Sequence, residues 1–564
     1  MKRNSSLWHS RWHWTVGPVA LLVLLFFVPM MAMAQGPTNP QPRRAAREGA
    51  QAKHVKRITP QIPKANRYQK DKVFLENADV LESDENLTRD YQVLRGNVRF
   101  RQGDMFMFCD SAYYYDKTGS LDAFGHVRMV QADTLTVNAD VLHYYGEDQV
   151  AQLRHNVRLK NRSTTLITDS LDYEMRSNVG YYFNNGTIID NRNNTTLTSE
   201  FGRYELDTKQ AEFSSNVRLH NERYEMSTQM LDYNTATHIA TIVDQTHITS
   251  DGNTIVTSSG WYNTSRDMAT LYSRSLITSR DGKTLVGDTV FYDRKRNFGE
   301  GRGNVILTDP KHSVILDGDY GYHDDNTHYS YVTRNARARE FSQRDTLYLH
   351  ADTLCTLVGS DSIRILRAFN HVRFYRIDVQ GMCDSLQMSE ADTILNLYRN
   401  AVLWNEARQI SGHEINVHIN DSTADWATLP EPGFVTEHVG ELYYDQLSGK
   451  KMHATFENKE LKQLDVEGNV EVIMFPQEKD STYNKMVNAE ASYLRMNMKP
   501  KQELERVAMW PAVTGRVTPL YLAKRSALYL PQFKWYGDER PNSPSDIFRT
   551  PVVKVETGRR RVSR

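Results

Sequence analysis

The sequence predicts an all-β, elongated protein built from stacked repeats of about thirty residues. One phrase returns along the chain: x-N-V-R, followed about a dozen residues later by an acidic, a small, an apolar and then an aromatic residue. Apolar and polar residues alternate within each unit, as in strands with one buried face. Val, Ile, Thr and Tyr dominate the units, and Asn, Asp and Gly cluster between them. A unit this small buries an apolar face only by stacking on its neighbours.

The repeats are clearest when the acidic position of the phrase is taken as a marker. The phrase first appears over 96–115 and returns from Gly125 as GHVRMVQADTLTVNADVLHYY and from Gly303 as GNVILTDPKHSVILDGDYGYH. The marker positions are Asp110, Asp140, Asp169, Glu200, Gln229, Ser258, Asp288, Asp319, Asp352, Asp384 and His413. Their regular spacing identifies an internal-repeat protein.

The alternation predicts which residues share a face. From Leu135 to Val141 every second residue is apolar, and in the next unit Ile167, Leu171 and Tyr173 have the same parity. We therefore expect each of these sets to lie on one face of a strand. Two or three short strands per unit would be joined by tight turns, for example Asn184-Asn185-Gly186.

The N-terminus resembles a targeting segment. Lys2 and Arg3 precede an apolar run from Val16 to Val28, and Ala32-Met33-Ala34 is a typical cleavage site. Residues 1–34 are predicted to be a cleaved signal peptide. An uncleaved anchor is the alternative, but the run is short for a membrane span. Either interpretation places the body outside the cytoplasm.

The rest of the chain divides by composition. Residues 35–67 form a basic, Pro-rich linker, interpreted as a solvated spacer or as an arm that contacts anionic headgroups. Residues 68–430 carry the repeats, and 431–499 carry a degenerate continuation of them. Residues 500–564 form a tail rich in proline and aromatic residues, predicted to be an extended docked segment followed by a disordered end.

The sequence favours neither an enzyme nor a metal protein. The acidic markers recur in nearly every unit, which indicates a structural role such as bonding to a turn backbone. His413 and His418 are five residues apart on a predicted strand, so they do not form a zinc-protease motif. Cys109, Cys355 and Cys383 are expected to be small buried thiols. No catalytic residue, cofactor or metal site is predicted, and 69 basic against 69 acidic residues give no reason to expect nucleic acid.

Recurring apolar residues at the end of the phrase are the candidate functional positions. They are Leu142, Tyr144, Leu171, Tyr173, Leu231, Tyr233, Val290, Tyr292, Leu354 and Leu386. Two interpretations are open for them. They could form an ordinary closed core, or they could line an open apolar interior that holds hydrocarbon chains.

The repeated phrase resembles that of the OstA-like family, which includes components of lipopolysaccharide transport. Gly96-Asn97-Val98, Gly125-His126-Val127, Ala139-Asp140-Val141-Leu142, Gly303-Asn304-Val305 and Ala351-Asp352-Thr353-Leu354 carry the resemblance. It extends over about residues 70–430 and, weakly, to about 495. The resemblance implies a twisted β-jelly-roll of stacked antiparallel strands with an apolar interior for acyl chains.

The resemblance also implies a non-enzymatic, periplasmic function. The expected role is a lipid-binding bridge that carries lipopolysaccharide or a related glycolipid toward the outer membrane, with transport components of both membranes as partners. End-to-end self-association through edge strands is a further expectation. The alternatives are a structural or adhesive β-solenoid without a lipid groove and, less favoured, a β-solenoid enzyme acting on polysaccharide.

Overall fold

The computed structural model describes residues 72–549 except 83–89, 132–134, 193, 251, 312, 325, 342–344, 360–362, 421–422, 441, 459, 479–480 and 501–502. The described chain is built from antiparallel β-strands and a few 3₁₀ turns, which confirms the predicted all-β class. The predicted signal peptide and linker lie outside the described residues. In the part that is described, no helix combines the length and hydrophobicity of a membrane span.

The described residues form two compact units that divide between Asp267 and Met268. The strands of the first unit are β1 (Phe74–Asn77), β2 (Val80–Glu82), β3 (Gln92–Gln102), β4 (Met105–Tyr115), β5 (Ser120–Gln131), β6 (Leu135–Tyr145), β7 (Val150–Asn161), β8 (Thr164–Glu174), β9 (Val179–Asp190), β10 (Thr195–Ser199), β11 (Phe201–Glu205), β12 (Gln210–His220), β13 (Tyr224–Asn234), β14 (Ile239–Ile242), β15 (Thr246–Ser250), β16 (Asn253–Thr257) and β17 (Gly260–Asn263).

The strands of the second unit follow the same alternation of long and interrupted elements. They are β18 (Met268–Leu271), β19 (Ser275–Thr278), β20 (Thr284–Gly287), β21 (Thr289–Asp293), β22 (Phe298–Asp309), β23 (Val314–Asp324), β24 (Tyr329–Thr333), β25 (Arg337–Glu340), β26 (Leu347–His350), β27 (Thr353–Val358), β28 (Arg364–Arg376), β29 (Val379–Ser389), β30 (Ile394–Asn405), β31 (Arg408–Asn420), β32 (Thr423–Leu429), β33 (Gly433–Gly440), β34 (Tyr443–Gly449), β35 (Lys451–Glu457), β36 (Glu460–Met474), β37 (Lys485–Lys499), β38 (Glu503–Trp510) and β39 (Thr514–Pro519).

Each repeat is a hairpin of two long, bent strands. In the clearest part of the first unit, β3 to β9, every strand pairs antiparallel with the next one along the chain. Shorter turns, such as the one at 103–104, alternate with four-residue turns, such as the one at 116–119. Where a strand is interrupted near its middle, as between β10 and β11, the two halves still pair with the same neighbours, β9 and β12.

A β-bulge bends most of the long strands near their middle. In β5, Gly125 (φ 77°) and His126 (φ 42°) both adopt left-handed backbone. The two residues lie together opposite the single residue Asp140, where the β5–β6 register shifts. Glycine is favoured at position 125 for two reasons. It adopts left-handed backbone without strain, and an added Cβ would lie 2.4 Å from Asp110 Oδ2.

The left-handed pair recurs from repeat to repeat. Further pairs are Gly96–Asn97, His155–Asn156, Asn184–Asn185, Ser215–Asn216, Gly303–Asn304, Arg334–Asn335, Asn370–His371, Arg399–Asn400 and Gly468–Asn469. The prediction of a tight turn at Asn184-Asn185-Gly186 was therefore wrong. These residues lie inside β9, where two left-handed residues bend the strand without ending it.

The acidic markers lie at the same corners. The carboxylates at these corners, including Asp79 at the corner before the first marker, are hydrogen-bonded to the side chain of a bulge residue. The atom pairs are Asn97 Nδ2 to Asp79 Oδ2 (2.8 Å), Asn156 Nδ2 to Asp140 Oδ2 (2.6 Å), Asn304 Nδ2 to Asp288 Oδ2 (2.7 Å), Asn335 Nδ2 to Asp319 Oδ2 (2.9 Å), His126 Nδ1 to Asp110 Oδ2 (2.7 Å) and His371 Nδ1 to Asp352 Oδ2 (2.9 Å). The markers thus have a structural role, but their carboxylates bond to the side chain of the second bulge residue in the next repeat instead of to a turn backbone. This ladder holds successive corners in line.

The corners divide every bent strand between two facing layers. We call the half that ends at the shorter turns the short-turn layer, and the half that ends at the four-residue turns the long-turn layer. Tyr144, in the long-turn layer of β6, donates its hydroxyl hydrogen to Gln102 Oε1 in the short-turn layer of β3 at 2.8 Å. The rings of Phe100 and Tyr114, also from opposite layers, have centroids 5.6 Å apart. The interior of the first unit lies between these layers.

The side-chain alternation reverses at each corner. In β6 every second residue from Leu135 to Ala139 is buried, but Val141 is only half-buried and Leu142 is fully buried. Ile167 is 41 % exposed on the outer surface of β8. The prediction that Val141 shares a face with Leu135, and Ile167 with Leu171 and Tyr173, was therefore wrong. The strand turns from one layer to the other at the marker, and the interior stays on the same side.

In the second unit the strands continue past residue 499, the predicted end of the degenerate repeats. Both β38 and β39 pair with β37. Residues 520–549, which we call the strap, then run back over the outer surface of the short-turn layer. The described strap contains four short 3₁₀ helices, at Leu520–Leu522, Arg525–Ala527, Gly537–Glu539 and Asp546–Phe548.

Three buried glutamines from successive repeats anchor the strap. Gln446 donates to Leu528 O (2.9 Å) and accepts from Leu530 N (2.8 Å), Gln409 donates to Lys534 O (2.8 Å) and accepts from Tyr536 N (2.8 Å), and Gln380 accepts from Arg540 Nε (2.8 Å). Each glutamine lies on the outer face of its strand, and its burial is due to the strap. Because the bonds at Gln446 and Gln409 go to backbone groups, they hold an extended chain in place regardless of its side chains.

The strap also completes a second apolar cluster outside the layers. Ile473, Phe475 and Met486 are buried there against Leu520, Ala523, Leu528 and Leu530 of the strap and its neighbours. Nearby, Trp404 is fully buried although it lies on the outer face of β30. Aliphatic residues of the strap thus cover an apolar outer surface of the second unit.

Candidate functional site

The candidate leucines of the first unit lie in one continuous row of the long-turn layer. Leu142 lies opposite Ala123 and Leu153, and Leu171 lies opposite Leu153 and Tyr182. In order of strand pairing the row is Leu94, Ala112, Ala123, Leu142, Leu153, Leu171, Tyr182, Gly202, Phe213, Leu231 and Ile242. All of these residues are buried. They form one apolar wall of the interior.

A second apolar row, in the short-turn layer, forms the opposite wall. In pairing order it is Phe100, Met107, Met129, Val137, Leu159, Leu166, Ile188, Leu197, Leu219, Met226, Ile248 and Ile255. These residues are buried or half-buried. This wall was not predicted from the sequence, although the sequence contains a signal for it. The residue four places after the glycine of each phrase is large and apolar, as with Phe100, Met129 and Leu307.

The candidate tyrosines form a third row, beside the four-residue turns. Tyrosine alternates there with a smaller residue: Tyr114, Leu121, Tyr144, Ala151, Tyr173, Gly180, Tyr204, Ala211, Tyr233, Ala240 and Tyr262. Alternate strands leave about 10 Å between successive tyrosines, and the small residue between them gives each ring room to lie flat. Tyr144 and Tyr173 are buried and Tyr233 is half-buried.

The tyrosine hydroxyls close the side of the interior opposite the corners. Tyr144 reaches across to Gln102, whereas Tyr173 donates to Asn178 Oδ1 at 3.1 Å, within its own layer. Further along, the rings of Tyr224 and Tyr262 meet from opposite layers with centroids 5.3 Å apart. Burial raises the pKa of Tyr173, so its hydroxyl stays protonated and able to donate at neutral pH.

The candidates of the second unit lie in an interior of different composition. Val290, Leu354 and Leu386 are buried in the long-turn layer, and Tyr292 is half-buried. The tyrosine row does not continue beyond Tyr292. In pairing order its later places are taken by Gly299, His323, Ser330, Thr356, Leu366 and Met388.

Buried charge separates the two interiors further. Among the residues described, the buried polar side chains of the first unit are all uncharged. The second unit buries the charged residues Asp293, Asp309 and Glu340. The first unit therefore has the more uniformly apolar interior.

The two layers are in contact in this structure, as between Tyr144 and Gln102. Two small cavities of the second unit measure about 10 and 20 Å³, room for about one water molecule each. Leu316, Ala338 and Leu354 are among the residues that line the first. Cys109, Cys355 and Cys383 are buried and unbridged, and burial raises the pKa of each thiol. An acyl chain would have to separate the two layers in order to enter.

The fold and its interior define a class of protein: an array of bent β-hairpins whose two layers enclose continuous apolar walls. The particular family follows from comparison of the sequence with family models. A model described as "OstA-like protein" matches residues 70–229, within the first unit. Over that segment the chain is OstA-like, as the resemblance predicted.

Two further comparisons add little. The chain is similar to LptH of Pseudomonas aeruginosa, titled the LptA homologous periplasmic component of the lipopolysaccharide transport device, at 13 % identity. The match covers 26 % of this chain and 80 % of LptH with a TM-score of 0.15, which does not define a shared arrangement. A comparison with curated proteins found no match.

Proposed function

We propose that the first unit binds the acyl chains of lipopolysaccharide, or of a related glycolipid, between its two layers. The protein would carry this lipid through the periplasm toward the outer membrane. The observation that carries the proposal is the pair of facing apolar walls, which continue from repeat to repeat without a buried charge among the described residues of the first unit. The OstA-like match over residues 70–229 supports it.

The repeat geometry suits a lipid that moves. Transfer of a chain from water to such walls is worth about 0.8 kcal/mol per buried CH₂ group. Successive repeats present the same kinds of side chain about 10 Å apart, so a chain that moves by one repeat exchanges one environment for a similar one. Binding is therefore compatible with sliding, and the direction of transport would come from partners in the two membranes.

The terminal strands of the described chain support association with such partners. In the first unit β1 and β2 pair only with β3, and in the second unit β38 and β39 pair only with β37. Leu504, Trp510 and Val517 are more than one-third exposed on the last two strands. Edge strands with exposed apolar side chains pair readily with another edge. End-to-end assembly, and contact with transport components of either membrane, are part of this proposal.

One observation favours a second function. The two layers of the first unit touch, as at the hydrogen bond from Tyr144 to Gln102. A purely structural or adhesive protein with a closed core would have the same appearance. The two functions differ in whether the layers separate.

Photocrosslinking in cells tests the lipid proposal. A photoreactive amino acid placed at Leu171 or Leu231 should capture lipopolysaccharide. The matched controls Asp172 and Asp232 lie one residue further along the same strands and on the opposite face, so they should capture little. If the exported, protease-resistant variants capture no lipid at either leucine, the closed structural function is correct.

A second experiment tests whether the layers must separate. Gln102→Cys with Tyr144→Cys, joined by a bis-maleimide, would hold the layers together across the interior. The control pair Lys117→Cys with Asp148→Cys lies on adjacent four-residue turns of one layer. Lipid capture at Leu171 should be lost only in the first pair. Equal capture in both crosslinked proteins would contradict entry between the layers.

A further inference from the structure

One position of the repeat carries arginine on the outer surface of the short-turn layer. It lies two residues after the second bulge residue and is the arginine of the x-N-V-R phrase. The members in the first unit are Arg99, Arg128, Arg158 and Arg218, and the members in the second unit are Arg337 and Arg373. We call these residues the arginine row. The apolar walls make no use of them, because their side chains alternate with the inward residues.

In the second unit the row holds the strap. The Arg373 side chain is only 4 % exposed, and its Nη1 and Nη2 donate to Glu539 O at 2.8 Å and to Glu539 Oε2 at 3.2 Å. The Arg337 guanidinium lies 5.8 Å from the ring centroid of Phe548. An extended, acid-bearing segment thus lies across the strands, and two members of the row contact it.

In the first unit no segment among the described residues covers the same surface. Arg128, Arg158 and Arg218 are exposed, and Lys160 lies beside Arg158 on the same face of β7. In the short-turn layer from β4 to β12 the described strands carry one acidic residue, Asp190. Its carboxylate accepts the backbone N–H of Arg192 at the strand end. Within the short-turn layer the surface is therefore a band of positive charge, bordered at the corners by the marker carboxylates Asp110, Asp140 and Asp169.

The spacing of the band suits a polypeptide that crosses the strands. Arg128 on β5 and Arg158 on β7 are two strands apart, which is about 10 Å. In a polyproline II segment, which has three residues per turn and rises about 3.1 Å per residue, every third residue faces the same side at about 9 Å. Such an extended segment with an acidic residue at every third position can thus place successive carboxylates beside Arg128 and Arg158, and a later one beside Arg218, which lies four strands from Arg158.

We propose that the band of Arg128, Arg158, Lys160 and Arg218 is an interaction surface for an extended acidic segment of a partner protein, laid across the strands as the strap is laid across the second unit. The partner is defined by charge complementarity and by the arrangement that the chain itself shows at Arg373. This inference is independent of lipid binding, because the band lies outside the layers.

Fluorescence anisotropy on the full exported chain tests the proposal with two labelled peptides. The first is a twelve-residue repeat of Glu-Thr-Ser, which carries an acid at every third position. The second has the same composition with its glutamates contiguous. The row variant combines Arg128→Gln, Arg158→Gln and Arg218→Gln. The control variant combines Arg176→Gln, Lys209→Gln and Arg266→Gln, three exposed cations on four-residue turns of the same unit.

The proposal expects the spaced peptide to bind more tightly than the contiguous one and to lose about tenfold in affinity in the row variant, with little change in the control variant. Added salt should weaken binding, since the surface is exposed. Equal losses of affinity in both variants would show that binding depends only on net charge, and would overturn the proposal. It is also overturned if the spaced peptide does not bind at millimolar concentration. A third contrary result concerns phosphatidylcholine vesicles that contain one-third phosphatidylglycerol. If the row variant lost its binding to these vesicles but kept its binding to the peptide, the surface would contact lipid and not an acidic segment.

Discussion

Replacing Gln409 by alanine should release the strap. The Gln409 side chain is fully buried, donates to Lys534 O at 2.8 Å and accepts from Tyr536 N at 2.8 Å. Each bond contributes about 0.5–1.5 kcal/mol, and alanine leaves two strap backbone groups without partners. The strap should therefore lose about 1–3 kcal/mol of docking free energy. That loss corresponds to an increase of about 5- to 150-fold in the population with the strap detached.

Hydrogen exchange measured by mass spectrometry follows that population directly. Exchange should accelerate in peptides that contain Tyr536, while peptides from the first unit stay unchanged. Gln152→Ala is the matched control, because Gln152 lies on the outer face of β7, away from the strap. The assignment of Gln409 as an anchor would be refuted if the variant remained folded and the exchange of Tyr536 did not change.

Three further predictions concern the corners and one buried acid. Gly125→Ala should cost about 2 kcal/mol or more, and Gly119→Ala only about 1 kcal/mol. Both have positive φ, but only at Gly125 does an added Cβ meet a neighbour, Asp110; equal falls in thermal stability would show that this contact costs nothing. Burial raises the pKa of Asp445 to about 6 from 3.8. The folded chain thus binds this proton more tightly than the unfolded chain, and stability should fall as pH rises from about 4 to about 7. A melting-temperature profile that keeps its slope in Asp445→Asn would contradict this. The hydrogen bond to Asp110 raises the pKa of His126 above 6.5, so its stabilisation is present below pH 6.5 and is lost as pH rises through the folded pKa. An NMR titration of His126 with a midpoint at or below 6.5 would exclude it.

The sequence predicted the repeats and the strand type because both depend on local patterns. A period of about thirty residues does not depend on how the strands bend, and the alternation of apolar side chains holds within each half of a bent strand. The corner was missed because alternation assumes a straight strand, so Val141 was placed inside where the structure buries Leu142. The signal was nevertheless present, because Gly125-His126 is a pair that tolerates left-handed backbone.

The candidate site was predictable only in part. Recurrence at the end of the repeated phrase was enough to select Leu142 and Leu171 as inward residues, and both are buried. Whether the layers touch or part depends on contacts between residues distant in sequence, such as Tyr144 and Gln102. No local pattern contains such information.

The strap shows the same limit. Its aromatic content predicted docking, but Gln409 resembles any polar residue of a strand until a second segment covers it. Its role as an anchor depends on Lys534 and Tyr536, which lie more than a hundred positions later in the chain. Sequence alone therefore could not indicate the surface on which the tail docks.

The position of the strap in chain order has a consequence for biosynthesis. The strap follows every strand that it covers, so Trp404 and the cluster around Ile473 stay open to solvent until the residues after Pro519 have emerged. A polypeptide that stops or is cut before this point would present a broad apolar patch, the kind of surface that chaperones and proteases recognise. Docking of the strap removes this patch from solvent, and products interrupted before the strap remain open to degradation.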